Sequence, residues 1–161
     1  ETNHGITVAV ARDHGYTGAM KELTQEQASE IYITSYIEKP NYVEIISLSP
    51  AVGQKLVDAG VNVGTTRSSR WFQTALNSLS RGGVDYPNVT VDGRIGTGTI
   101  TSYKGLQKKR GRVKACELVI KLMDAQQATH YMSLTKMSDF TPGWVQHRIG
   151  NVDLKKCSQY Q

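Results

Sequence analysis

The chain is poor in the residues that most often announce a function. Two cysteines, two tryptophans and two phenylalanines are spread over 161 residues. Cys116 falls in an apolar helical pattern and Cys157 in a polar tail, with neither a CxxC spacing nor a nearby histidine. Such a pair predicts neither a disulfide framework nor a zinc site. The four histidines, His4, His14, His130 and His147, form no HxxxH pair, so no protein-held metal is expected. No run of about 18 apolar residues occurs, which excludes a membrane-spanning helix and argues against stable membrane insertion.

What is present belongs to a globular protein. Apolar residues make up 39% and charged residues 20%, so disorder is not indicated and one domain with a sizeable core is expected. The net charge of +5 favours anionic partners through long-range attraction. Its basic residues concentrate in "SYKGLQKKRGRVK", residues 102 to 114. Nucleic-acid binding calls for aromatics interleaved among such charges, and only Tyr103 is there. The stretch is therefore expected to be a solvated connection between helices, with no nucleic-acid partner. The sequence leaves the oligomeric state open.

Helical periodicity dominates the chain. Val8 to Arg12 predicts a short helix stopped by Gly15 and Gly18. Thr24 and Gln27 form a capping box, with Leu23 placed to staple onto Ala28. Ala28, Ile31, Tyr32, Ser35 and Tyr36 follow on one face, up to Pro40. Ser49 and Pro50 start another helix, as cap and first residue, which Gly60 or Gly64 closes. A further helix turns Trp71, Phe72, Ala75, Leu76 and Leu79 to one side. The longest runs from about Arg112 to Met137, with Val113, Cys116, Val119, Ile120, Met123 and Tyr131 inward. A last short helix holds Trp144, Val145 and Ile149. Residues 84–101 break the pattern and predict an irregular loop with room for a small hairpin. The expected fold is mainly α.

Few stretches point to chemistry unaided. "GRIGTGT" lacks the Lys-Ser/Thr of a P-loop, and the "NVT" triplet at residues 88 to 90 fits chance as well as a glycosylation site. Asp58 and Asn62 stand four apart on one helix face among apolar residues. They either satisfy caps and backbone groups or line a cleft and hold substrate hydroxyls and amides.

Taken together, "ETNHGIT", "DHGYTGAMKELTQEQASEIYITSYIEKP", "DAGVNVG", "VDGRIGTGT" and "GWVQHRIGNV" resemble the phage and prophage endolysins of glycoside hydrolase family 108, which carry a predicted peptidoglycan-binding segment. The resemblance covers nearly the whole chain. It implies one lysozyme-like helical domain over 1–161: a catalytic-type half at 1–80, a peptidoglycan-binding segment at 81–150 packed on it, and a tail at 151–161. It implies a peptidoglycan hydrolase, an N-acetylmuramidase cutting the β-1,4 bond between N-acetylmuramic acid and N-acetylglucosamine, needing no cofactor. Such a protein of bacterial or phage origin would be cytoplasmic until its release to the periplasm and wall.

In the family, Glu-Gly-Gly-Tyr precedes a polar stretch ending Thr-Asn-x-Gly-Ile-Thr. Thr2, Asn3, Gly5, Ile6 and Thr7 match that ending, so the acid glutamate is expected upstream of Glu1, which matches a variable position. Glycoside cleavage needs a protonated carboxylic acid and a second polar group to orient water or steady the cationic sugar. The resemblance assigns water positioning to Thr2, which would serve equally well as cap of the first helix. Asn3, Asp58 and Asn62 would bind sugar. Asp92-Gly93 is expected to make a tight turn, and Trp71 and Trp144 to pack in the core. The alternative is a non-catalytic wall-binding or secretion-associated module.

Overall fold

Ser49, Pro50 and Gly64 delimit the most enclosed helix of the protein, α4 (Pro50–Val63). In the computed structural model, which describes residues 1–159, Ser49 Oγ accepts from Val52 N at this helix's start. Pro50 sits in the first turn, where no donor is needed, and Gly64 ends the helix at a φ of 95°. Ala51, Val52, Leu56, Val57 and Ala59 are buried along it, and so is Lys55.

The elements before α4 form a small layer against it. β1 (Thr2–Asn3) and β2 (Ile6–Thr7) pair antiparallel, Thr2 opposite Thr7 and Asn3 opposite Ile6. His4 and Gly5 turn the hairpin with φ of 51° and 79°, both positive as a type I′ turn requires. α1 (Val8–His14) follows, capped by Thr7, whose hydroxyl accepts from Val10 N at 3.3 Å. Thr2 is thus no helix cap. α2 (Gln25–Ile33) opens with both bonds of the Thr24–Gln27 capping box and widens into a π-helical turn over Thr34–Glu38. α3 (Val43–Leu48) lies so close to α4 that a Cβ on Gly53 would come within 2.5 Å of Ile46 Cγ1.

α5 (Thr65–Leu79) buries Trp71, Phe72, Ala75 and Leu76. Beyond it, α6 (Thr97–Arg110) and α7 (Arg112–Ser133) correct the expected solvated connection. The basic stretch is mostly α6, because Tyr103 and Leu106 repeat inward after Ile100 while the cations face out. Gly111 alone, at a φ of 85°, joins the two helices. α7 ends at Ser133, and a separate tight turn covers Thr135–Met137.

Residues 84–96 are irregular, and among the described residues the only β pairing is the hairpin at residues 2–7. Amide side chains of α5 hold this loop in place of a partner strand. Asn77 Nδ2 donates to Val89 O and Asn77 Oδ1 accepts from Val89 N, both at 2.8 Å. Buried Gln73 donates to Arg94 O, Asp92 Oδ1 and Thr99 Oγ1, and accepts from Gly93 N. Asp92-Gly93 makes the expected tight turn, with Asp92 Oδ1 accepting from Arg94 N.

The C-terminal residues return to the core through α8 (Thr141–Arg148) and α9 (Lys156–Gln159). Here the reading of the cysteines is corrected: Cys116 and Cys157 form a disulfide, with Cα atoms 5.6 Å apart. No local spacing signalled it, because α9 meets α7 only after the chain has turned back through α8. One apolar cluster runs from Ile6 in the hairpin to Cys157 in α9. The bridge closes a sequence separation of 41 residues. Cys157→Ser is expected to lower stability by about 3–4 kcal/mol, read as a fall in Tm that a thiol reductant reproduces in the parent protein.

Candidate functional site

Thr2 and Asn3 sit on β1, at the edge of the molecule. Thr2 is exposed, while half-buried Asn3 donates from Nδ2 to Met20 O at 2.8 Å. That bond ties the hairpin to the turn before α2, and Asn3 Oδ1 takes no hydrogen bond among the described residues.

Asp58 and Asn62 share one face of α4, both half-buried, one helical turn apart. Asn62 Nδ2 donates to Asp58 Oδ2 at 3.4 Å. The same oxygen accepts from Asn151 Nδ2, a bond between the α8–α9 segment and α4. Asp58 Oδ1 takes no hydrogen bond among the described residues. One turn back, the Lys55 ammonium is fully buried, paired with Asp124 on α7. It also donates to Arg148 O at 3.1 Å and Asn151 Oδ1 at 3.2 Å.

Tyr32 of α2 lies between the two pairs. It lines a hollow with His4, Gln25, Ala28 and Ser29 towards the hairpin, and another with Ile46, Pro50, Gln54 and Asp58 towards α4. Helical spacing placed Tyr32 on the inward face, yet it is 37% exposed. Burial, then the charge of Asp58, then Tyr36 hold its phenol above the ordinary value of 10.0. At neutral pH the hydroxyl is a donor, and the Asp58 carboxylate in the same hollow is an acceptor. This pairing suits the hydroxyl and N-acetyl groups of an amino sugar, which offer both functions. None of Thr2, Asn3, Asp58 and Asn62 bonds across from hairpin to α4, and of the four only Asp58 lines either hollow, the one towards α4.

Sequence reasoning missed three groups here: His4, Tyr32 and Asn151. Asn151 lies within the quoted "GWVQHRIGNV", but nothing in that stretch shows that its amide reaches α4. Trp71 is buried, and half-buried Trp144 packs between Tyr131 and Phe140 with the Arg148 guanidinium over its ring. Among the described residues, no three His, Cys, Asp or Glu side chains gather as a metal site, and no helix is long and apolar enough to cross a membrane.

The helical architecture, the small hairpin and the groove beside it define a mainly α, lysozyme-like fold. The chain is similar to the solved structure of Brucella abortus SagA, with 22% identity and a TM-score of 0.72 over 99% of this chain and 80% of that one. Residues 1–64 match the family described as Glycosyl hydrolase 108, and residues 67–149 match the Predicted Peptidoglycan domain. The second match takes in more than half of the chain. The protein belongs to the family that these two segments define, glycoside hydrolase family 108 with its predicted peptidoglycan domain. No curated protein matches the chain. Peptidoglycan hydrolysis or binding is the function its family supports, with peptidoglycan as partner.

Two outcomes follow from this geometry. Lys55→Met keeps the volume of the buried stem but leaves Asp124, 17% exposed, without its cation; stability is expected to fall by about 3 kcal/mol in denaturant titration. Removing a negative charge lowers a phenol pKa. The ring-resonance titration of Tyr32 by NMR is therefore expected to move down towards 10.0 in Asp58→Asn.

Proposed function

We propose that the protein is an endolysin-type N-acetylmuramidase, cutting the β-1,4 bond from N-acetylmuramic acid to N-acetylglucosamine, and that the groove along Tyr32 receives the glycan. The observation that carries this reading is the hollow that Tyr32 and Asp58 line together. Asp58 accepts from a sugar hydroxyl or amide N–H, Asn62 steadies Asp58, and Asn3 offers its carbonyl oxygen. Thr2, whose hydroxyl is exposed on β1, positions water. The net charge of +5 suits a polymer bearing lactyl and peptide carboxylates. The whole forms one lysozyme-like domain whose catalytic-type half and peptidoglycan-binding segment share a core. It would be made in the cytoplasm of a bacterium or its prophage and act after release to the wall.

Acid catalysis needs a second group, and Asp58, in the hollow towards α4, is the one carboxylate that either hollow offers. We place the acid N-terminal to Glu1, where the family resemblance puts its glutamate. The same observation favours a second reading, in which residues 1–161 bind wall without cutting it.

The test is digestion of Gram-negative sacculi with mass spectrometry of the products. The chain carrying its natural upstream residues, the upstream Glu→Gln variant and the 161-residue chain run side by side. Reducing N-acetylmuramic ends from the first protein alone are the expected result. Intact sacculi in all three, with the proteins retained on the wall, would leave only the binding module. Cleavage by the short chain would show that the acid is misplaced.

A further inference from the structure

We propose that Asn151, which lies beyond both matched segments, is a positioning residue for Asp58, so that the C-terminal segment completes the sugar groove from outside. The inference rests on the reading of Asp58 as a sugar-binding group.

The amide of Asn151 is used at both ends. Its Nδ2 donates to Asp58 Oδ2 and its Oδ1 accepts from the Lys55 ammonium at 3.2 Å. Those two partners fix which end of the amide faces which, because an ammonium only donates and a carboxylate only accepts. Aspartate in its place keeps the Lys55 contact, loses the donor and sets a second negative charge against Asp58. Alanine loses both contacts.

The segment bearing Asn151 is fastened on either side. Arg148 O accepts from Lys55, Val152 is buried, and Cys157 is bonded to Cys116. Gly150, at a φ of 68°, makes the bend between these anchors. An exposed asparagine is thereby held at one place on α4 without further ordering cost, which is the condition for a rigid supporting contact. The result at Asp58 is directional. Both amides, from Asn62 and Asn151, converge on Oδ2, which leaves Oδ1 to accept from a ligand. Without Asn151 the carboxylate rotates more freely, and an oriented acceptor becomes an averaged one.

The test measures binding by the 161-residue chain of a soluble disaccharide–peptide fragment of peptidoglycan, by calorimetric titration. The proteins are the parent, Asp58→Ala, Asn151→Ala, Asn151→Asp and the double variant Asp58→Ala/Asn151→Ala, with circular dichroism and Tm recorded for each. Loss of one oriented hydrogen bond corresponds to about tenfold in Kd. Asn151→Ala is expected to weaken binding by about that factor in the parent and by nothing in the Asp58→Ala background. Asn151→Asp, with Lys55 still engaged and its Tm close to that of the parent, is expected to weaken binding at least as much. Equal losses from Asn151→Ala in both backgrounds would overturn the inference, because its effect would not pass through Asp58. Parent-like binding by Asn151→Asp would overturn it too, because the donor bond would be idle. Unchanged binding by Asp58→Ala would instead sink the groove reading itself, and with it this inference; a loss at Asp58 with none at Asn151 sinks the inference alone.

Discussion

A fully buried ammonium group organises this protein. Lys55 has no exposed surface, and an isolated charge so placed would be strongly unfavourable. The fold answers with an anion and two oxygens drawn from three places: Asp124 on α7, Arg148 O at the end of α8, and Asn151 beyond it. Lys55 belongs to the first family segment, and its partners come from the second and from the residues after it. Helix α4 can keep its lysine buried only if α7 and the C-terminal segment are seated, so one charge couples elements nearly a hundred residues apart in the chain.

The same economy of polar groups shapes the loop after α5. Irregular backbone must find partners for its N–H and C=O groups, and here two amide side chains supply them. Asn77 takes both groups of Val89, and Gln73 serves the turn at Asp92-Gly93. Gly93 is demanded twice, by its φ of 77° and by Thr66, whose Cγ2 would lie 2.6 Å from an added Cβ. The "VDGRIGTGT" stretch is thus a fastening of the helical core, and its Gly93 serves geometry.

The groove belongs to the earlier half. Hairpin and α4 each present polar groups, and Tyr32 on α2 stands between them. Partial burial of the phenol, and then the charge of Asp58, raise its pKa further above the neutral range. A donor and an acceptor thus line one hollow through the neutral range.

Local signals were legible wherever the physics is local. The Thr24–Gln27 box, the Ser49-Pro50 start, the stop at Gly64 and the inward period of α7 each rest on contacts within a few residues. Motif order likewise carried the family and its lysozyme-like fold. Pairings across long separations stayed hidden, because they depend on how finished helices pack. Cys116 met Cys157, Gln73 met residues 92–99, and Asn151 met Asp58 for that reason. The basic stretch was misread as a connection because its charges masked the inward repeat of Ile100, Tyr103 and Leu106. Helical spacing puts Tyr32 one turn from buried Ala28, yet it lies at the edge of that face, 37% exposed. The sequence by itself determined where helices begin, end and turn their apolar faces, since capping and periodicity act within one element. Only the tertiary structure decided which polar groups Lys55 and Asp58 would meet, since a buried charge takes its partners from whatever the packing brings within reach.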